Sequence, residues 1–169
     1  MTDAPQRRMR VQAFSRVTRV LGMSLVLLLL AGPVLSEDGE GNIKYRQNLM
    51  SAIGYSTGAI GDILKYRLHF ISNIQTHANN IAADAKLISS AFQNKFVDGK
   101  TDAKANIWSD WEDFEKKIQD LRSAAVSLSE ATADGNMEQI QGGLKNLGKA
   151  CNSCHKQFRK PKEESYKNK

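Results

Sequence analysis

The sequence predicts an all-α chain, an antiparallel four-helix bundle behind an N-terminal export segment. Apolar residues recur at three- and four-residue spacing through four stretches, the period of helices that turn one face to a core. Strand-like alternation is scarce, and there are no tandem repeats or low-complexity segments. Connections between the stretches are mainly short, which suits antiparallel neighbours. A length of 169 residues fits one domain plus a targeting segment.

The export segment is expected over residues 1–36. Arg7, Arg8, Arg10, Arg16 and Arg19 precede an apolar run from Leu21 to Leu30, and Val34 and Ser36 stand before a polar stretch opening at Glu37. That is the basic, apolar and small-residue order of a secretory signal, with a cut before Glu37. The apolar run is short for a membrane span of about 20 residues; an uncleaved anchor is the alternative. Arg7-Arg8 lacks a convincing twin-arginine context, so export of an unfolded chain to the periplasm is expected, with no membrane attachment after the cut. Residues 37–169 then form the bundle domain.

Charge points the same way. The formal charge is +6, of which the five Arg and one acid of residues 1–36 contribute +4. The remainder holds 19 basic and 17 acidic residues, so the high pI is no argument for a nucleic-acid partner. The run Arg159-Lys160-Pro161-Lys162 and the residues after it read as a solvated basic C-terminal end.

The first helix is expected from about Ile43 to Tyr66, with Leu49, Met50, Ile53, Ile60, Ile63 and Leu64 as its apolar stripe. Gly54, Gly58 and Gly61 interrupt it at ~1 kcal/mol each relative to Ala, which suggests close approach of another helix or of a flat ligand. The second is expected from about Ser72, as N-cap, to Phe92, with Ile74, Ala78, Ile81, Ala82, Ala85, Leu87 and Ile88 inward. The link between these helices lacks Gly and Pro. A polar loop from Gln93 to Asn106 comes next. The third helix, about Ile107 to Thr132, carries Trp108, Trp111, Phe114, Ile118, Leu121, Ala125 and Leu128. Asp134-Gly135-Asn136 separates it from the fourth. The fourth, about Met137 to Arg159, carries Ile140, Leu144, Leu147, Ala150, Cys151, Cys154 and Phe158, and stops at Pro161. At ~1.5 Å per residue the bundle is roughly 30–35 Å long.

Chemistry concentrates in Cys151-Asn152-Ser153-Cys154-His155, the C-x-x-C-H pattern of c-type haem attachment. Two thiols add to the two porphyrin vinyl groups, and the next residue, His155, supplies the proximal imidazole to iron. One covalent haem c per chain is expected. A thioredoxin-like redox pair wants a βαβ context that this chain lacks. Structural zinc wants four ligands, and beyond the motif only His69 and His77 remain. A disulfide three residues apart on a helix would staple almost nothing. Candidates for the other face of the iron are Met50, Met137, His69 and His77. Met137 is about five turns from His155 on the same helix and so too remote, and Met50 lies on an apolar stripe, where a Met is usually a core residue. No catalytic acid, base or nucleophile constellation stands out, so an enzyme is not expected.

These residues resemble the cytochrome c′ family, the class II cytochromes c. The resemblance spans essentially the whole of residues 37–169. It includes Lys44-Tyr45-Arg46-Gln47 early in the first helix, Ile107-Trp108-Ser109-Asp110 with Phe114, and a haem motif near the C-terminus followed by Phe158-Arg159. The resemblance implies a left-handed four-helix bundle with the haem on its last helix. It puts Met50, four residues after Arg46, over the distal haem face, and a Met there implies the low-spin branch in which it ligates iron opposite His155. Arg46 and Gln47 match positions close to the haem and its propionates. Asp102 matches a position with occasional haem contact, and Arg159 a basic neighbour of the proximal histidine. The family often has Gly or Pro in the link between the first two helices, where this chain has neither.

The function so implied is electron transfer between redox partner proteins by a six-coordinate iron. The alternative is a five-coordinate, NO- or CO-binding protein of the same family; a non-haem helical thiol or interaction module is a third reading. The family resemblance also implies a possible homodimer paired through the first and second helices.

Overall fold

The structure, a computed structural model, describes residues 39–168. The expected export segment, residues 1–36, and the cut before Glu37 lie outside the described residues. Four long helices make the bundle: α1 (Gly39–Lys65), α2 (Ile71–Phe92), α4 (Trp111–Ala131) and α5 (Met137–Phe158). A single turn, α3 (Asn106–Ser109), lies between α2 and α4. Two 3₁₀ turns, Lys162–Glu164 and Tyr166–Asn168, come after α5. Packing follows chain order, α1 on α2, α2 on α4 and α4 on α5, whereas α1 and α5 touch at few points. The bundle therefore has three tight seams and one loose one, and the loose one holds the site described below.

The expected stripes form most of the core. Ile60, Ile74, Ile81, Leu128, Ile140 and Leu147 are fully buried, each worth about 1.5–3 kcal/mol against exposure. Leu87 falls off its stripe and is 43% exposed. The glycine cluster of α1 marks no helix crossing, because a Cβ at Gly54, Gly58 or Gly61 would meet nothing within 4 Å. Close approach occurs at Gly143 instead, where a Cβ would lie 2.9 Å from Leu128 Cδ1 and 3.3 Å from its Cα.

Helix boundaries depart from the sequence reading where distant groups intervene. α1 begins earlier, at Gly39, with Glu40 in its first turn, where a carboxylate suits the helix dipole. It ends without Gly: Arg67 adopts φ 53°, Leu68 N–H donates to Ile63 carbonyl at 3.0 Å and Arg67 N–H to Leu64 carbonyl at 3.4 Å. That is a Schellman closure with arginine in the left-handed position usually given to glycine. Ser72 is not an N-cap. The helix starts at Ile71, Phe70 holds the cap position, and no side chain caps it.

The third expected helix is split at Asp110 (φ −114°, ψ 42°). Trp108 Nε1 donates to Phe92 carbonyl at 2.7 Å and Asn106 Nδ2 to Gln157 carbonyl at 3.4 Å. These bonds tie the α3 turn to the ends of α2 and α5, out of line with α4. At the start of α5, Asn136 Oδ1 accepts from Glu138 and Gln139 N–H at 3.0 and 3.2 Å, a full N-cap. α5 ends at Phe158, and Arg159 turns extended to bridge Ala103 in an antiparallel pair.

Candidate functional site

The α5 wall comes first. Cys151, Cys154 and His155 stand at i, i+3 and i+4, so one helix face presents all three. Both thiols are free and half-buried against the core. Desolvation raises the Cys151 thiol, while its own backbone hydrogen bond opposes this. Desolvation, and then the neighbouring Cys151, push Cys154 up to about 11 against the pull of Lys117. Reactive redox pairs need the opposite, a lowered thiol pKa, so these are poor thioredoxin-like cysteines. At His155, desolvation by its surroundings and then the charge of Arg159 hold the imidazole below its ordinary value. A neutral imidazole is the form that can bind a metal.

The α1 wall faces it. Met50 packs partly buried against the core and lines the same cavity as His155. One turn earlier, Arg46 is 3% exposed. Its guanidinium donates to the carbonyls of Ala91 at 2.7 Å, Phe96 at 3.0 Å and Asn94 at 2.5 Å. It also lies over the rings of Phe92 at 4.6 Å and Trp108 at 5.3 Å, a favourable cation–π arrangement. The C-terminal carbonyls of a helix have no partner within it, and Arg46 satisfies one at the end of α2. Gln47 Nε2 donates to Lys100 carbonyl at 2.6 Å. Both residues, expected near the haem edge, do line the cavity, but these donors fasten the loop after α2 onto α1.

The rim is built by Asp102 and the tail. Lys104 N–H donates to Phe158 carbonyl at 2.9 Å and Lys160 N–H to Asp102 carbonyl at 2.7 Å. The Asp102 carboxylate accepts from Ser165 Oγ at 2.9 Å, Tyr166 N–H at 3.0 Å and Arg159 at 3.4 Å. The basic run Arg159-Lys160-Pro161-Lys162 is largely exposed, as expected, but the end is not loose: Ser165 is buried, and Tyr166 and Lys167 line the cavity. Sequence reasoning missed both. The one available signal is an isolated Tyr after the Pro161 stop.

Together these walls enclose a cavity of about 520 Å³, within the size range of small-molecule sites. Ile53, Ile88, Phe92, Ile118 and Leu121 give it an apolar floor, and Gly54 adds no side chain there. Lys117, Arg159 and Lys167 bring positive charge to its lining. An apolar slot with two thiols and an imidazole on one wall, and cations for carboxylates, fits a covalently held haem. Of the expected distal candidates, Met50 lines the slot. Met137 and His69 are exposed, and neither they nor His77 line it.

Comparison with known proteins agrees with this geometry. The family described as Cytochrome C' matches residues 41–159. Cytochrome c' of Rhodospirillum rubrum is 33% identical over 123 residues, 72% of this chain and 84% of the relative. The solved cytochrome c prime from Shewanella frigidimarina is 31% identical, with a TM-score of 0.68 over 75% of this chain and 99% of that one. A nitric oxide complex of a cytochrome c prime variant from Alcaligenes xylosoxidans is 26% identical, with a TM-score of 0.67 over 75% and 99% of the two chains. The match across the whole bundle, cysteine motif included, means that this chain belongs to the cytochrome c′ family and is a mono-haem c-type cytochrome that carries covalent haem c and its iron.

Proposed function

We propose that this protein is an exported one-electron carrier in which His155 and Met50 hold the haem iron from its two sides, in the low-spin state. The observation that carries the reading is that Met50 lines the same cavity as Cys151, Cys154 and His155. When bound, the haem supplies a one-electron Fe(III)/Fe(II) couple whose potential thioether ligation raises. The chain's own residues orient and exclude. α5 presents a neutral His155 beside its two cysteines. The Arg46 clamp fixes α1 against α2 and the loop after it, so the backbone that bears Met50 is held. The apolar floor leaves few protein dipoles beside the slot to reorganise between oxidation states. No residue is assigned a catalytic role.

Residues 1–36 serve as the export signal in this reading, residues 37–169 as the mature cytochrome, and the periplasm as its compartment. No helix among the described residues is long and apolar enough to cross a membrane. Redox proteins are the expected partners, and nucleic acid is not. Tyr45, Tyr55, Leu68 and Phe70, on α1 and the turn to α2, are exposed apolar residues and suit pairing with a second copy.

The test is an absorption spectrum of the haem-loaded protein, oxidised, reduced, and reduced under CO. The reading expects a low-spin spectrum with a weak far-red Met–Fe(III) band and no CO shift. Met50→Leu, a near-isosteric change that costs under about 1.5 kcal/mol of stability, is expected to abolish the band and open the iron to CO. A high-spin wild type that binds CO as the variant does would refute Met50 ligation. It would favour the second reading, a five-coordinate NO or CO binder, which the nitric oxide complex of the Alcaligenes relative supports.

A further inference from the structure

We propose that the C-terminal tail is a built part of the haem pocket: Asp102 fixes it so that Lys167 pairs with a haem carboxylate and Tyr166 walls the pocket's edge. The family match ends at residue 159 and does not reach the tail. Its placement is specific. Asp102 takes one hydrogen bond from the Ser165 hydroxyl and one from the Tyr166 N–H. Ser165 Oγ in turn accepts from Lys167 N–H at 3.3 Å. Lys160 Nζ donates to Thr101 carbonyl at 3.0 Å, and Asn168 Nδ2 donates to Lys162 carbonyl. A solvated end would have no reason to bury Ser165 or to spend both oxygens of one carboxylate on two successive residues.

The cations that line the cavity differ in what they have left to offer. Arg46 is committed to backbone carbonyls. Arg159 is paired with Asp102. Lys117 lines the cavity from α4, within the four-helix core, whereas Lys167 sits at its rim. Lys167 has no ion-pair partner among the described residues; its ammonium lies 5.9 Å from the ring of Tyr166. Haem c brings two carboxylates, and a flexible ammonium on a fixed backbone is suited to meet one. The inference rests on family membership and the cavity, and does not depend on Met50.

The test uses haem-loaded protein and reads the redox equilibrium by spectroelectrochemistry across pH. A cation beside a haem carboxylate favours the reduced iron. Lys167→Gln is expected to shift the equilibrium toward Fe(III) by roughly threefold at low salt and less at high salt. Lys167→Arg is expected to restore most of the shift. Tyr166→Ala is expected to speed reduction by a small dissolved reductant. Ending the chain after Lys160 is expected to combine both effects; should that truncation not fold, the point variants decide. The proposal is overturned if Lys167→Gln leaves the equilibrium and its pH profile as in wild type. It is equally overturned if Gln and Arg shift it alike, since charge would then not be the cause. The same spectra report spin state, so failure of Met50 ligation shows separately from failure of the tail.

Discussion

Two arginines line the same cavity, each one helical turn from a candidate iron ligand, and they are built for opposite purposes. Arg46 precedes Met50 by four residues and is buried among three carbonyls and three aromatic rings, those of Phe92, Phe96 and Trp108. Arg159 lies four residues after His155 and keeps half its side chain in solvent, with one ion pair at 3.4 Å to Asp102. The family resemblance marks both as haem neighbours. Their surroundings separate them: the buried one holds the α1 wall in place, and the exposed one acts on the α5 wall through its charge. Burial and hydrogen-bond count, more than distance from the ligand, distinguish a scaffold cation from a tuning one.

Removing the scaffold cation should have the larger effect. Arg46→Ala strands the carbonyls it satisfies and uncovers Phe92 and Trp108, and is expected to cost roughly 3 kcal/mol in denaturant unfolding. Arg46→Lys should recover less than half, because a point charge cannot fork between three acceptors. A loss below about 1 kcal/mol, the worth of a single ordinary hydrogen bond, would erase the contrast between the two arginines.

An intermediate effect is expected at Asp102, which joins Arg159 to the tail. Desolvation raises its carboxyl, but hydrogen bonds from Tyr166, Ser165 and Arg159, with the Arg159 charge, outweigh it and hold the group below its ordinary value of 3.8. A folded pKa below the unfolded one gives stability that is present in full above 3.8 and is lost as pH falls through the lower folded value. Amide-exchange protection at Tyr166 and Lys167, relative to the intrinsic rate at each pH, should hold down to that range and fall below it. Asp102→Asn should loosen the tail by about 1 kcal/mol at neutral pH and flatten the acid dependence. Unchanged tail protection in the Asn variant would rule out the carboxylate as its anchor.

The smallest effect belongs to the exposed partner. Arg159→Ala is expected to cost about 0.5 kcal/mol, since half-exposed ion pairs contribute little. A loss comparable to that of Arg46→Ala in the same unfolding assay would show that Arg159 also carries the scaffold.

What is legible in the sequence divides along similar lines. The four stretches and the C-x-x-C-H motif can be read because their information is local: helix period, covalent spacing, a capping Asn136. The split at Asp110 cannot, because it results from Trp108 reaching the end of α2 and Asn106 reaching the end of α5. The start of α2 at Ile71 depends on an arginine in a glycine's conformation at position 67, which no propensity favours. The tail reads as solvated because its composition is charged; its anchor, Asp102, is 63 residues away from Ser165. Arg46 and Gln47 stand out by resemblance, yet the carbonyls they hold are about 50 residues distant.

The loose seam between α1 and α5 bears on how the chain assembles. Each tight seam joins long helices that follow one another in the chain, so three hairpin-like pairings of low contact order can form quickly. The remaining pairing joins the first long helix to the last and carries the largest loop-closure entropy for the fewest contacts. The attachment cysteines lie on that last helix, beside the seam with least reason to close early. A bundle wired in this way is expected to leave its thiols reachable while most of its core is already formed, with the join of its two ends closing last.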